Sequence, residues 1–281
     1  MRAVDGQARR DLKGLYMGLF TGKTVIVTGG GKATLKDGSA GSIGYGIDIA
    51  FAKEGANLVI TGRNVAKLEA AKESLEAEYG VKVLPVQADV SAGQDNEAVV
   101  QNVIDKAIEE FGRIDAVVNN AQASASGVTI ADHTMDQFNL AIYSGLYATY
   151  LYMQKAYPHL KETKAPWSTL LRAPACLATM VSAAMPPPRR HPWSDSRCRQ
   201  RVGQGRHQRQ YRLPACLDRR ARELPGCYPE AFKANVHMPP AGHYGDVEKE
   251  IGRVVVQLCG PDFKYMNGET VTLEGGMGQR P

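Results

Sequence analysis

A β-branched run that leads into glycines and then into a helix constrains the fold of this chain most strongly. The run "TVIVTGG" spans Thr24–Gly30 and is typical of a short buried strand. The segment "SIGYGIDIAFAKEGA" follows it, and its Ile43, Ile47 and Phe51 recur at helical spacing on one face. A strand, a glycine turn and a helix in this order predict the opening unit of an α/β domain.

The same alternation continues along the first half of the chain. Further strands are predicted at "NLVITGRN", "VKVLPVQADV" and "IDAVVNNA". Helices are predicted at "VAKLEAAKESLEAEYG", "NEAVVQNVIDKAIEEFG" and, as one long helix, "MDQFNLAIYSGLYATYLYMQKAYPHLKE". Strands that alternate with helices predict a doubly wound parallel sheet of the Rossmann type, with helices on both faces.

The glycine turn predicts a nucleotide site. Glycines allow the backbone to approach a pyrophosphate closely, and the start of the following helix offers free N–H donors to it. The residues predicted to lie there come from the end of the first strand and the start of the helix: Thr28, Gly29, Gly31, Ser42, Ile43 and Gly44.

The end of the second predicted strand favours NADP as the cofactor. A carboxylate at this place would accept a hydrogen bond from the ribose 2′-hydroxyl of NAD. The chain has Arg63 there instead, and an arginine can bind the 2′-phosphate of NADP through charge-assisted hydrogen bonds. Lys32 in the glycine turn is a candidate for a second positive charge.

Together these motifs resemble the short-chain dehydrogenase/reductase family. The resemblance adds "DV" after the third strand, "NNA" after the fourth and "YMNGETVTLEGGMG" near the end, and it covers residues 21–164 and 228–278. It implies that Asp89 and Val90 lie at the adenine, and that Asn120 and Ala121 border the cofactor near the ribose. The resemblance also implies a homo-oligomer, commonly a tetramer, and a closed symmetric assembly makes one plausible.

Three residues depart from the family pattern. Ser42 and Gln122 stand where glycines are usual, and Gly145 stands where many members have a helix asparagine that supports a proton relay. Within the family, "NNAQASASG" and "PDFKYMNGETVTLEGGMGQRP" are similar to bacterial members that oxidise the 12α-hydroxyl of bile acids with NADP. This likeness implies a small steroid substrate, which spacing and composition do not reveal.

The segment from Ala165 to Cys227 has a different composition. It has 12 arginines, no lysine and 3 acidic residues, a net charge of +9, whereas the rest of the chain has 22 basic and 26 acidic residues, a net charge of −4. The segment also holds 8 of the 15 prolines and 4 of the 5 cysteines, but no isoleucine and no phenylalanine. The cysteines lack zinc-like spacing, so no metal site is predicted. We expect this segment to be disordered or poorly packed as written.

The resemblance implies that this segment should carry a serine and a Tyr-x-x-x-Lys pair, the groups that orient the substrate oxygen and accept its proton. No such pair and no lysine occur between Pro166 and Cys227, so no catalytic residue is assigned. Enrichment in arginine, proline, alanine and cysteine is typical of a GC-rich gene read out of frame. From Lys164 onward, one alternative reading frame is compatible with the codons of the printed residues. In that frame the bases that span Leu171-Arg172 can encode a serine, those that span Ala184-Met185 a tyrosine, and those that span Pro188-Arg189 a lysine.

Three other functions remain open at this point. The arginines could bind nucleic acid, although charge runs are more often solvated and the out-of-frame reading also explains the prolines and cysteines. The motif "SIGYGI" resembles the enoyl-thioester reductase branch of the same family. The sequence as printed, which has a predicted nucleotide site but no assigned catalytic residue, is also compatible with a non-catalytic nucleotide-binding protein.

The predicted organisation is simple. Residues 1–16 are polar and patternless and are predicted to be a disordered leader, and residues 17–281 are predicted to form one dehydrogenase domain. No apolar run is long enough for a membrane span, and no secretory signal is recognised, so a cytoplasmic location is expected. We therefore predict an NADP-dependent hydroxysteroid dehydrogenase that binds neither nucleic acid nor membrane.

Overall fold

The computed structural model describes residues 18–35, 38–91, 93–125, 128, 131–163, 169–171, 210–212, 238–263, 265–266, 271 and 273–276. Its centre is a parallel sheet of four strands in the order β3-β2-β1-β4. The strands are β1 (Thr24–Thr28), β2 (Asn57–Gly62), β3 (Val83–Gln87) and β4 (Ala116–Val118). In the register of the sheet, Val25 of β1 pairs with Leu58 of β2 and with Ala116 of β4.

Three helices connect these strands, and three more described helices follow β4 in the chain. They are α1 (Ile43–Lys53), α2 (Val65–Tyr79), α3 (Asn96–Phe111), α4 (Met135–Ala141), α5 (Ala148–Glu162) and α6 (Arg253–Cys259). Local chemistry sets their ends: the Asn64 side chain caps the start of α2, and Gly80, with φ of 68°, ends it in the left-handed region. A capping box between Thr134 and Gln137 begins α4.

The sheet has a hydrophobic core on each face. Along β1, Val25 and Val27 face the core formed with α1, α2 and α6, whereas Ile26 faces the core formed with α3 and α5. This alternation follows from the two-residue period of a strand. The prediction of a doubly wound parallel sheet is therefore confirmed.

The helix predicted at residues 135–162 is not continuous. A π-helical turn, Ile142–Tyr147, separates α4 from α5. The Ser144 hydroxyl lies 2.6 Å from the Leu140 carbonyl oxygen and accepts a hydrogen bond from the Ala123 N–H at 2.9 Å. Side-chain bonding to the preceding turn loosens the helical ladder, and Gly145 at this place adds no side chain to oppose the wider turn.

Two short strands, β5 (Thr169–Leu171) and β6 (Gln210–Arg212), pair in parallel as a separate sheet. The rest of the arginine-rich segment lies outside the described residues, as does the predicted leader. The motif "YMNGETVTLEGGMG", which the resemblance implies is the family's last strand and glycine turn, falls partly outside them, and its described residues do not form a strand. A second π-helical turn, Val247–Gly252, precedes α6.

Candidate functional site

A cleft of about 790 Å³ opens at the carboxyl ends of the parallel strands. The chain reverses its direction of winding at β1, which has β2 on one side and β4 on the other. Ligands of open α/β sheets bind at such a switch point, because the loops on either side separate there. Loops that follow all four strands contribute residues to the cleft.

The glycine loop brings helix α1 close to the strand ends. Gly29, with φ of 76°, turns the chain at the end of β1, and its N–H donates to the Thr61 carbonyl at 2.8 Å. A Cβ atom added to Gly44 would overlap with the carbonyl oxygen of Gly29. Only glycine at residue 44 allows this contact, so the start of α1 can lie directly beneath the cleft.

Ser42, one of the departures from the family pattern, has a clear structural use. It is the N-cap of α1, and its Oγ accepts a hydrogen bond from the Tyr45 N–H at 3.4 Å. The same hydroxyl donates to the Gly31 carbonyl at 3.3 Å. A single side chain therefore begins the helix and holds the glycine loop against it.

Thr28 joins the ends of β1 and β4. Its buried Oγ1 accepts hydrogen bonds from the backbone N–H groups of Asn120 and Ala121, each at 2.8 Å. The Asn120 amide donates to the Thr28 carbonyl at 2.9 Å. Among the described residues, the Nδ2 of Asn119 and the Oδ1 of Asn120 are buried without a hydrogen-bond partner. Burial of a polar atom without a hydrogen-bond partner costs free energy, unless a further partner reaches it.

Asp89 follows β3 with its carboxylate held in the charged form. It accepts hydrogen bonds from the Ser91 N–H at 2.9 Å and from the Ser91 hydroxyl at 2.5 Å. Partial burial opposes ionisation, but these hydrogen bonds and the nearby Arg63 charge together lower the pKa of Asp89. Asp89 can therefore accept hydrogen bonds at the rim of the cleft at neutral pH.

The structure brings together ten of the twelve residues predicted for the cofactor. Those that line the cleft are Gly29, Gly31, Ser42, Ile43, Gly44, Arg63, Asp89, Val90, Asn120 and Ala121. Thr28 lies behind the lining and positions two of them through the hydrogen bonds above. Lys32 is half-buried and also lies outside the lining.

Six polar residues of the lining were missed from the sequence: Thr61, Asn64, Lys67, Ser91, Gln122 and Ser144. Asn64 and Gln122 directly follow predicted site residues, so their positions in the chain could have indicated them. Lys67 and Ser144 lie inside predicted helices, where nothing in the sequence distinguishes them from surface residues.

Gln122 and Gly145, the two remaining departures from the family pattern, lie next to each other. A Cβ atom added to Gly145 would lie 2.9 Å from the Nε2 atom of Gln122. The Gln122 carboxamide thus lies over the π-helical turn, where a larger residue at position 145 would place its side chain. Gln122 and the neighbouring Ser144 both line the cleft.

These features fit a dinucleotide. The glycines leave room for a backbone-bound pyrophosphate, and the orphaned Oδ1 of Asn120, a residue of the cleft lining, is an acceptor at the strand ends. No group of His, Cys, Asp and Glu side chains in the described ranges could hold a metal ion. Similarly, none of the described helices is long and apolar enough to cross a membrane.

Comparison with known proteins decides the family. A family model described as enoyl-(acyl carrier protein) reductase matches residues 38–173. A 12α-hydroxysteroid dehydrogenase from Clostridium sp. is 47% identical over 266 residues, which are 94% of this chain and 100% of the relative. The chain belongs to the short-chain dehydrogenase/reductase family. It is accordingly an oxidoreductase by family.

Other relatives support the fold. The general stress protein 39 of Bacillus subtilis is 31% identical over 136 residues, 48% of this chain and 46% of that protein. The crystal structure of L-sorbose reductase from Gluconobacter frateurii, complexed with NADPH and L-sorbose, superposes with a TM-score of 0.72. The match covers 94% of this chain and 99% of the reductase. Because the two sequences are only 22% identical, the comparison shows a shared fold alone.

Proposed function

We propose that this protein is an NADP-dependent hydroxysteroid dehydrogenase that reversibly oxidises the 12α-hydroxyl of bile acids to the 12-oxo form. The observation that carries the proposal is the 47% identity to a 12α-hydroxysteroid dehydrogenase over the whole of that relative. The steroid and its position come from the relative's activity, because no steroid-specific contact is described in this chain.

The residues of the cleft have distinct roles in this proposal. Gly29, Gly31 and the N-terminal turn of α1 hold the pyrophosphate, and Asp89 and Val90 hold the adenine. Arg63 binds the 2′-phosphate, which favours NADP over NAD. A nicotinamide held by these residues would supply the hydride acceptor that oxidation of the alcohol carbon requires.

The proton of the alcohol needs an acceptor, and the printed residues 166–227, where the resemblance implies it, contain no Tyr-x-x-x-Lys pair. We propose that the gene encodes a tyrosine and a lysine four residues apart, out of frame within the stretch written as residues 165–227. On a helix this spacing places both side chains on one face, where the lysine ammonium lowers the pKa of the tyrosine. The corresponding printed pairs, Ala184-Met185 and Pro188-Arg189, lie outside the described residues.

An activity assay tests the substrate directly. The protein expressed from the re-sequenced gene is given NADP and a bile acid that carries a 12α-hydroxyl, and the reduced nicotinamide is measured. We expect turnover with that steroid and none with a bile acid that lacks the 12-hydroxyl. Turnover of both steroids at equal rates would contradict the 12α assignment.

A second candidate function is reduction of an enoyl thioester, which the description of the matching family model favours. Oxidation of NADPH by an enoyl thioester, without activity on the bile acid, would support this alternative. Nucleotide binding without turnover of either substrate would support a non-catalytic role. Retention on a nucleic-acid column that salt abolishes would instead favour the arginine-rich segment as a nucleic-acid site.

We further propose a homo-oligomer, a tetramer as in many family members, in the cytoplasm, with residues 17–281 as its single domain. Large apolar side chains exposed on α5 and on the preceding π-helical turn support the oligomer, among them Leu146 (62% exposed) and Tyr150 (58% exposed). Light scattering of the purified protein measures the number of copies.

A further inference from the structure

Lys67 is the cation of α2 that shares the cleft with Arg63. Both residues are exposed and both line the cleft, and Asn64 lies between them in the lining. Arg63 immediately precedes the N-cap of α2, and Lys67 is the third residue of the helix. One helix start therefore presents a guanidinium and an ammonium to the same space.

Backbone contacts fix Lys67 beside the glycine loop. Its N–H donates to the Asn64 side chain at 3.1 Å, and its carbonyl accepts from the Lys32 N–H at 2.9 Å. A Cβ atom added to Gly31 would lie 3.3 Å from the Cβ of Lys67. The Lys67 side chain thus begins at the face of the loop along which a dinucleotide passes.

The electrostatics of this helix start favour a bound anion. The first turn of α2 contains no acidic residue, although helix N-termini attract carboxylates. A lysine there opposes the helix dipole unless a negative charge lies close by. Within the part of the chain that the structure describes, neither Arg63 nor Lys67 forms a side-chain ion pair. A phosphate monoester between them would satisfy both cations and the free N–H groups of the helix.

We infer that Lys67, together with Arg63, binds the 2′-phosphate of NADP(H), and that Lys32 does not. Lys32 is half-buried, lies outside the cleft lining and contributes its backbone N–H to the contact with Lys67. Lys67 is therefore a specificity-determining residue for NADP over NAD. This inference rests on the proposed function, since it requires that the cleft binds a nicotinamide dinucleotide.

Binding titrations of the full chain test this assignment without any need for turnover. The dissociation constants for NADPH and NADH are measured by nicotinamide fluorescence at one fixed ionic strength. Lys67→Gln should weaken NADPH binding about tenfold, because one charge-assisted contact at an exposed site is lost, and should change NADH binding less than about twofold. Lys67→Arg should retain most of the preference for NADPH.

Two further lysine variants sharpen the test. Lys106→Gln removes an exposed charge from α3, outside the cleft, and should leave both dissociation constants unchanged. Lys32→Gln should have little effect on the preference for NADPH. A large NADPH defect in Lys32→Gln with none in Lys67→Gln would overturn the inference and leave the proposed function intact.

Two other outcomes have separate meanings. Equal weakening of NADPH and NADH binding by Lys67→Gln would also overturn the inference, because the lysine would then act on a part that the two cofactors share. Failure of the unmodified chain to bind either nucleotide would contradict the proposed function itself, and the inference with it.

Discussion

Gly44 has space for a hydrogen atom and for nothing larger, because the carbonyl oxygen of Gly29 occupies the place of a Cβ atom. The sequence predicts glycines here from the motif alone, and the structure supplies the reason. The close approach places the first turn of α1 beneath the cleft, so the proposed pyrophosphate site depends on this contact between the glycine loop and the start of the helix.

Replacement of Gly44 by alanine should therefore destabilise the loop and weaken NADPH binding. Overpacking of this kind costs about 3 kcal/mol, since backbone rather than a flexible side chain must move. Urea unfolding and NADPH titration measure the two effects. Gly245→Ala is the matched control, because its added Cβ would find its nearest neighbour at 3.6 Å. Equal behaviour of the two variants would contradict the proposed packing.

Asp48 is not among the residues predicted from the sequence. It is fully buried in α1, and a Cβ added to Gly30 would overlap with its carboxyl group. Neither of its oxygens has a hydrogen-bond partner among the described residues. Burial raises the pKa of Asp48 well above its ordinary value of 3.8.

This raised pKa predicts a pH-dependent effect of Asp48→Asn on stability. Above pH 3.8 the unfolded chain loses the proton while the folded protein keeps it, so this carboxyl makes the protein less stable as the pH rises towards its folded pKa. The stability advantage of the Asn variant should grow by about 1.4 kcal/mol per pH unit in this window.

Urea unfolding at several pH values measures this advantage. Asp105→Asn, at an exposed position of α3, controls for the same change of side chain at the surface. A difference between the unmodified protein and Asp48→Asn that stays constant with pH would contradict the assignment of a buried, neutral carboxyl.

The residues proposed to bind the 2′-phosphate show where prediction from sequence stops at this scale. Arg63 was predicted because it directly follows a strand, and a position at a strand end implies a position at the cleft. Lys32 was predicted from its place in the glycine motif, yet it lies outside the lining, whereas Lys67 lies within it. The sequence does not show how far α2 approaches the loop, and that approach decides which lysine reaches the cleft.

Among the elements, sequence pattern predicted the four strands of the sheet and the first three helices well. β1 and β2 are short apolar runs that are largely buried, α2 and α3 bury residues at helical spacing, and α1 is buried along almost its whole length. The helix predicted at residues 135–162 was wrong in its middle, where the π-helical turn Ile142–Tyr147 intervenes. Ser144 in this turn donates to the Leu140 carbonyl and also accepts a hydrogen bond from the Ala123 N–H, 21 residues earlier in the chain. Hydrophobic periodicity cannot register a contact of this kind.

The contact between Gln122 and Gly145 predicts that a smaller residue at position 122 compensates for a larger residue at position 145. Gly145→Asn alone should destabilise the protein by only about 1 kcal/mol, because the atom nearest to its Cβ is the flexible end of the Gln122 side chain, which can move aside. Gln122→Gly combined with Gly145→Asn should recover about 0.5 kcal/mol, since residues in contact show coupling of at least this size.

Urea unfolding of the single and double variants forms a double-mutant cycle. Gln122→Gly combined with Gly245→Ala, which pairs the same change with a distant glycine, should show additive effects. Additive effects in the Gln122 and Gly145 cycle as well would contradict the contact between these two elements.

At the scale of the whole molecule, the sequence has two regions with different patterns. Residues up to about 164 carry the strand and helix pattern, and the four-stranded sheet and the cleft follow from it. The arginine-rich stretch gives no such pattern, since it lacks isoleucine and phenylalanine for a core and has prolines that interrupt helices. The fold and most of the residues that line the cleft were therefore predictable from the first half, whereas residues that would act on the substrate were not.

The rate of NADPH formation from NADP and a 12α-hydroxylated bile acid, measured for two chains, tests the central claim most directly. One chain is the sequence as printed, and the other carries the frame-restored text with its Tyr-x-x-x-Lys in place of residues 165–227. We predict that only the restored chain oxidises the steroid. Steroid oxidation by the printed chain, or a restored chain that binds NADP but leaves the steroid unchanged, would contradict the account.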